Sequence, residues 1–292
     1  AFTETENQYI DLFNEASSNT MRLVSAKNRG DFSHEVLYQK IAGLVRRRNP
    51  RGNASVSTLS IDQKDKVSVK IATGAGPVDI SDSMFDWIQV NPEEAATVVG
   101  QQLAVDSLKD KVDTGIGAVY AALVQNTAII TDATGFADNK CSLRNLALAT
   151  RTFGDQSARI SAWVMHSVPS NDLLLNAIDN GNRLFKIDTI SIVQDASGRP
   201  IIVTDSPFLV TTAGSPAVST YHVLGLQQDG LRIEDNGDFK FNVDERNGNE
   251  NIEKTWQAEW SYNVNVLGYS WDTAAGGSPT TAALTTSANW AQ

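Results

Sequence analysis

The side chains able to do chemistry in this chain are few and scattered. Arg46, Arg47, Arg48 and Arg51 form its one dense basic cluster. Guanidinium groups this close together can hold phosphates or an acidic protein surface. Nucleic-acid binding would call for several such patches interleaved with aromatic residues, and none stands beside these four. A contact to an acidic surface on another subunit is therefore expected, with a solvated helix end as the plainer reading. Lys64, Lys66 and Lys70 follow in the same part of the chain and are assigned to the same inter-subunit surface.

The remaining constellations stop short of a reaction. His34, His166 and His222 show neither an HxxxH nor an HExxH spacing, and Cys141 is the only cysteine, so no metal site, cysteine cage or intrachain disulfide is expected. Asp235-Asn236-Gly237-Asp238 resembles half of a calcium loop, but Lys240 and Arg246 occupy the places of its sixth-position glycine and closing glutamate. A polar turn explains it better. Ser167 beside His166, and Ser81 beside Asp82, lack any nucleophile-elbow context. Gly74-Ala75-Gly76 runs into Pro77 and not into a helix start, so it does not make a phosphate cradle. Asn53-Ala54-Ser55 is a glycosylation acceptor relevant only to a secreted protein. No catalytic residue and no cofactor is assigned.

Elements must position whatever surface remains. With 292 residues, 41% hydrophobic and 20% charged, the chain can build a sizeable core, and disorder throughout is excluded. No window of 18 apolar residues could cross a membrane, and Ala1–Glu4 do not open a signal peptide. The net charge of −10 is uneven: +3 over residues 1–76, −7 over 77–140, 0 over 141–228 and −6 over 229–292. A basic end and two acidic blocks suit contact between copies of the chain.

Thr3 and Glu6 have capping-box spacing ahead of Tyr9, Ile10 and Phe13, predicting a helix near 4–16. Leu37, Ile41, Leu44 and Val45 predict a second helix from Ser33 to just before Asn49-Pro50. Period-two alternation over 54–72 predicts a hairpin turning at Asp62-Gln63-Lys64-Asp65, with Lys66, Ser68 and Lys70 outward. Asn91-Pro92-Glu93-Glu94 then caps a helix to about Asn126, roughly 50 Å long, bent near Gly115 and Gly117, with Asp106, Lys109, Asp110, Lys111 and Asp113 on its solvent face.

Beyond residue 132 helices and strands alternate: a helix at 142–153, a strand at Ile160–Val164, a helix from a Ser170 cap to Ile178, and a hairpin through Asp195–Arg199 into Pro200–Val203. Strands are expected at Thr220–Leu226, Phe239–Val243 and Glu253–Leu267, the last with Trp256, Ala258, Trp260, Tyr262, Val264 and Val266 on one side. After Trp271 a Thr-, Ala-, Gly- and Ser-rich tail is expected to be loose or ordered only by neighbours.

This α+β order, together with Phe85-Asp86-Trp87-Ile88, Trp163-Val164-Met165-His166-Ser167 and Gly198-Arg199-Pro200-Ile201-Ile202-Val203, resembles the major capsid proteins of tailed phages, the Hong Kong 97-type fold. The resemblance implies an N-terminal arm (1–32), an extended hairpin loop (33–80), a peripheral domain with the spine helix (81–131 and 229–271), an axial domain (132–228) and a C-terminal tail (272–292). It also implies a virion shell subunit, assembled in the host cytoplasm into pentamers and hexamers. The hairpin would lie over a neighbour, and the shell would enclose double-stranded DNA without sequence-specific binding. Scaffold, portal and decoration proteins would be its other partners. An encapsulin-like compartment is the near alternative, and an acidic soluble hydrolase the distant one.

Overall fold

The computed structural model describes residues 2–38, 44–81, 92–179, 198–215, 217–247, 250 and 253–292. Helix α1 (Phe2–Ala16) leads into β1 (Met21–Ser25), β2 (Phe32–Tyr38) and the long β3 (Gln63–Ser81), and then into the spine helix α2 (Pro92–Val124). Helix α3 (Leu143–Arg151), β4 (Ala162–Met165), helix α4 (Ser167–Asp179), β5 (Ile201–Val203), β6 (Val210–Ala213), β7 (Val218–Tyr221) and β8 (Leu224–Leu226) follow. The chain closes with β9 (Leu231–Asp235), β10 (Lys240–Arg246), β11 (Glu253–Val266), β12 (Ser270–Trp271), helix α5 (Thr281–Leu284) and β13 (Trp290–Ala291).

One sheet carries the larger core, in the order β1-β9-β11-β3-β2, with β10 pairing the outer half of β11. Register places Val264 opposite Val69 and Ile233, and Ile233 opposite Leu23. All four are buried, and they share a core with Ile116, Val119 and Ala122 of the spine. This is the aromatic and apolar face expected for β11. Gly115 and Gly117 do not interrupt the spine, which stays helical through both. Their reason is packing: a Cβ on Gly115 would stand 2.8 Å from Leu231 Cδ2, so only glycine lets helix and sheet approach this closely. A second, smaller core of Leu146, Ile160, Trp163, Met165, Leu173 and Ile201 lies around the sheet β5-β4-β8.

Several expectations are corrected. The helix expected from Ser33 is absent: residues 32–38 are strand β2, residues 44–49 carry no regular structure, and Ile41 lies outside the described residues. The helical spacing of Leu37, Leu44 and Val45 misled because β2 is exposed on both faces and buries no stripe. The hairpin is real, but β3 pairs β2 and not residues 54–61, so Asp62–Asp65 runs into the strand instead of turning. Lys111 is buried at 1% exposure and not solvated, and Lys66 and Ser68 are buried as well. Helix α4 begins at Ser167, placing Ser170 inside it. Strands β1 and β9 were not anticipated. The Phe85–Ile88 phrase, Ser81-Asp82 as a pair, Ile190, Ile192 and the turn at Asp195 fall wholly or partly outside the described residues.

The tail is also corrected. Residues 272–292 fold onto their own chain: β13 pairs β12, Trp290 meets Trp271 edge to face with centroids 5.1 Å apart, and both are buried.

Candidate assembly surfaces

The hairpin base is firm. His34 Nδ1 and Asp65 Oδ2 stand 2.7 Å apart across β2 and β3. Lys66 Nζ lies 3.9 Å from Glu35, and Lys70 Nζ lies 3.7 Å from Asp238. Burial pushes the Lys66 ammonium below the ordinary lysine value, with Glu35 opposing and Arg232 reinforcing the shift. Two of the three lysines assigned to a neighbour thus have partners at home, because the same residues that alternate in the sequence are covered on the sheet's second face. Lys64 remains exposed.

Beyond the base, residues 44–62 are exposed throughout and carry no regular structure. The structure brings Arg46, Arg47, Arg48 and Arg51 together on this stretch, in the open, with no acidic residue between 44 and 61. Beside them Val45 is 95% exposed, and Leu44, Val56, Leu59 and Ile61 are each at least half exposed. Burying a Val, Leu or Ile side chain is worth about 1.5–3 kcal/mol, so such a row is left in water only where another surface covers it. The arginines are legible by type, whereas Leu44 and Val45 have the spacing of a helix face and residues 54–61 that of a hairpin strand, so their exposure is not legible.

A second uncovered patch lies at the far end of the large sheet. Register sets Val243, Trp256 and Val78 side by side on β10, β11 and β3. Phe241 stacks on Trp256, with ring centroids 5.8 Å apart. Val78, Phe241 and Val243 are all exposed, and the exposed Asp244 and Glu245 follow on β10. This end is apolar like the finger, with the exposed cations Lys240 and Arg246 on the same strand as the two acids.

The spine carries a buried ionic clamp. Lys111 Nζ donates to Glu6 Oε1 at 2.6 Å and to Asp235 Oδ2, tying α1 and β9 to α2. Burial by itself would depress this ammonium, but the Asp235 and Glu6 carboxylates outweigh it and hold the pKa above the ordinary value. The arm is therefore seated on its own spine.

Candidate chemistry elsewhere resolves into structure. Ser167 Oγ lies 3.2 Å from His166 Nδ1, and His166 Nε2 lies 3.5 Å from Asp205 Oδ1. The same groups accept the first backbone donors of α4, Ser167 N to Asp205 and Val168 N to His166, so their geometry is that of a helix start. His222 Nε2 lies 2.8 Å from Thr211 Oγ1 and 3.2 Å from Tyr120 Oη, and burial holds its pKa below the usual histidine value. Among the described residues no cluster of three metal-ligating side chains occurs, and no helix is long and apolar enough to cross a membrane.

Burial pushes the Cys141 thiol up to about 12, with Asp172 and Asp138 adding to the shift. At pH 8 the thiolate fraction should fall roughly a thousandfold below that of an open cysteine. Reaction of the folded chain with a disulfide reagent should accordingly be slow, becoming fast only in denaturant. Rapid labelling of the native protein would contradict this.

Comparison with known proteins adds a family and a fold. Residues 1–292 match the model of a family described as Gp13-like, major capsid protein 13-like. No curated protein matches the sequence. The cyanophage Pam1 capsid subunit is 15% identical at a TM-score of 0.57, over 85% of this chain and 84% of that one. The mature capsid of bacteriophage PhiM1 gives 13% and 0.49, over 85% and 82%. The SrpI encapsulin complex of Synechococcus elongatus gives 10% and 0.45, over 85% and 81%. At these identities the Pam1 likeness speaks for the fold alone: the α+β arrangement of the Hong Kong 97 type.

Proposed function

This chain belongs to the Gp13-like family of major capsid proteins, and from that premise we propose that it builds the icosahedral head of a tailed, double-stranded DNA phage by assembling into pentamers and hexamers. One observation carries the reading. Beyond the hairpin base, residues 44–62 are exposed throughout, and Leu44, Val45, Val56, Leu59 and Ile61 stand at least half exposed beside the four arginines. Apolar side chains in such a row mark a surface that another protein surface covers. Heterologous contacts that close into rings use such surface without leaving a free end.

In this reading the role is structural, as is that of the family, and no reaction is catalysed. The subunit divides into arm (1–32), hairpin loop (33–80), peripheral domain (81–131 and 229–271), axial domain (132–228) and tail (272–292). Arg46, Arg47, Arg48 and Arg51, with Lys64, meet the acidic blocks of a neighbour, while Lys66 and Lys70 stiffen the base from which the finger projects. The shell forms in the host cytoplasm, becomes part of the virion and encloses DNA without reading its sequence. Scaffold, portal and decoration proteins complete it. Protein cargo in place of DNA would instead indicate an encapsulin-like compartment.

Particle yield tests the finger. Arg46→Ala with Arg47→Ala and Arg48→Ala should lower the yield of shells at least severalfold, measured by light scattering and negative-stain microscopy. Wild-type assembly should weaken as salt is raised, because contacts between exposed charges are screened. Unchanged yield would remove the charged contact from the account.

A further inference from the structure

We propose that strand β10 docks on the β10 of a second copy of this chain, the two running antiparallel about a two-fold axis so that one sheet continues into the next. The proposal rests on the shell reading above for its setting. Contacts that close subunits into pentamers and hexamers are heterologous, whereas this one is isologous, so in the shell it joins subunits of two different rings.

The edge is open. Among the described residues β11 is the only strand that pairs β10, and all seven residues of β10 are exposed. The backbone groups along its outer side therefore form a template for a further strand. Side chains alternate across it. Phe241 and Val243 stand on the face that also carries Trp256 and Val78, and Lys240, Asn242 and Asp244 stand on the other. Charges on a free edge ordinarily repel a second strand, but here their order makes them complementary to a copy of themselves.

The order of residues selects one register. Centred on Asn242, antiparallel pairing sets Lys240 of each copy against Asp244 of the other, and Phe241 of each against Val243 of the other. Opposite charges and apolar side chains facing one another both favour a strand pair. The two patches of Val78, Trp256, Val243 and Phe241 then merge into one across the axis. Centred on Val243, the same strands would set Lys240 against Arg246 and Phe241 against Glu245. Centred on Asp244, they would set that carboxylate against its own copy, and centred on Phe241 they would pair residues 240–242 alone. A centre between two residues would put apolar side chains on the polar face. Only the Asn242 register joins like to like and charge to countercharge.

A disulfide across the axis tests the register. With Asn242→Cys the two Cα atoms opposite each other stand about 4.5–5.5 Å apart, within disulfide reach. Shells of this variant, oxidised and run on a non-reducing denaturing gel, should give a covalent dimer as the main band. The parent, whose one cysteine is Cys141, should give none. Asp244→Cys should give at least severalfold less, because its two copies lie four residues apart along the strands, about 14 Å. Lys240→Asp added to Asn242→Cys faces carboxylate with carboxylate and should lower the dimer band severalfold. Adding Asp244→Lys restores opposite charges and should recover the band, which damage to the strand itself would not allow. Shells that form without the Asn242→Cys dimer, or that link equally well through Asp244→Cys, overturn the strand pairing alone. A parent chain that stays monomeric, seen by light scattering, overturns the shell reading and the pairing with it.

Discussion

Lys111→Met is expected to destabilise the subunit by about 3–5 kcal/mol, the range for removing one partner from a buried ion cluster. Lys111 is 1% exposed, and the side chain of Glu6 is 9% exposed, so the substitution strands two carboxylates between α1, α2 and β9 with no cation to hold them. Methionine fills much the same volume, which isolates the electrostatic loss from a cavity. The urea midpoint, followed by tryptophan fluorescence, reads the effect. Lys111→Met combined with Glu6→Gln and Asp235→Asn should recover much of it, because no stranded charge then remains. A single variant as stable as the parent would mean that the clamp contributes nothing. Its pH dependence has a definite sign. The pKa is raised in the folded state, so the stabilisation is complete below the ordinary lysine value of 10.5 and is lost as pH climbs through the higher folded value. Neutral and mildly alkaline solutions leave it intact, and the variant should lack the parent's extra loss of stability at strongly alkaline pH.

The clamp also marks where the sequence stops being readable. Lys111 lies among Asp106, Lys109, Asp110 and Asp113, a run of charge that reads as one solvated helix face. Only the approach of α1 and β9 from distant parts of the chain turns one of those residues inward, and period counting within a helix carries no trace of it. Local signals fared better where the deciding contacts are local. The proline and acids at Pro92-Glu93-Glu94 opened the spine where it begins, α3 falls within the helix expected at 142–153, and Ala258, Trp260, Tyr262, Val264 and Val266 of β11 are buried, although Ser261, Asn263 and Asn265 on its other face are buried too. The arginine cluster was visible by type alone, but the strand that carries its base was not. Leu37 and its neighbours have helical spacing by coincidence, and pairing with β3, twenty-five or more residues away, overrides propensity. The same holds for Lys66 and Lys70, whose in-chain partners lie on β2 and in the turn between β9 and β10.

Trp290→Ala is expected to cost about 3–5 kcal/mol, as for other buried aromatic truncations. Composition gives no warning of this, because the tail around it is built of Thr, Ala, Gly and Ser, residues that bury little by themselves. What fixes it is a pair of aromatic anchors. Trp290 is 2% exposed, its indole donates to Leu284 O at 2.9 Å, and its ring abuts Trp271, whose own indole donates to Gly276 O at 3.1 Å. The tail thereby closes over the spine, where Thr285 packs so near Gly117 that an added Cβ would lie 3.1 Å from its methyl group. Removing one indole leaves a cavity, opens the β12–β13 pair and uncovers Trp271 and Leu284 together, so the loss should exceed that of truncating an isolated apolar residue. Quenching by acrylamide and the denaturation midpoint should move together, and native-state hydrogen exchange should rise first in residues 272–292. A variant with the parent's midpoint and protected tail amides would show that the tail is held by something other than this pair. Shell yield should then fall with temperature earlier than for the parent, since the surface that β12 helps shape continues directly into β3 and the hairpin, through the Ser270 Oγ contact to Val67 N.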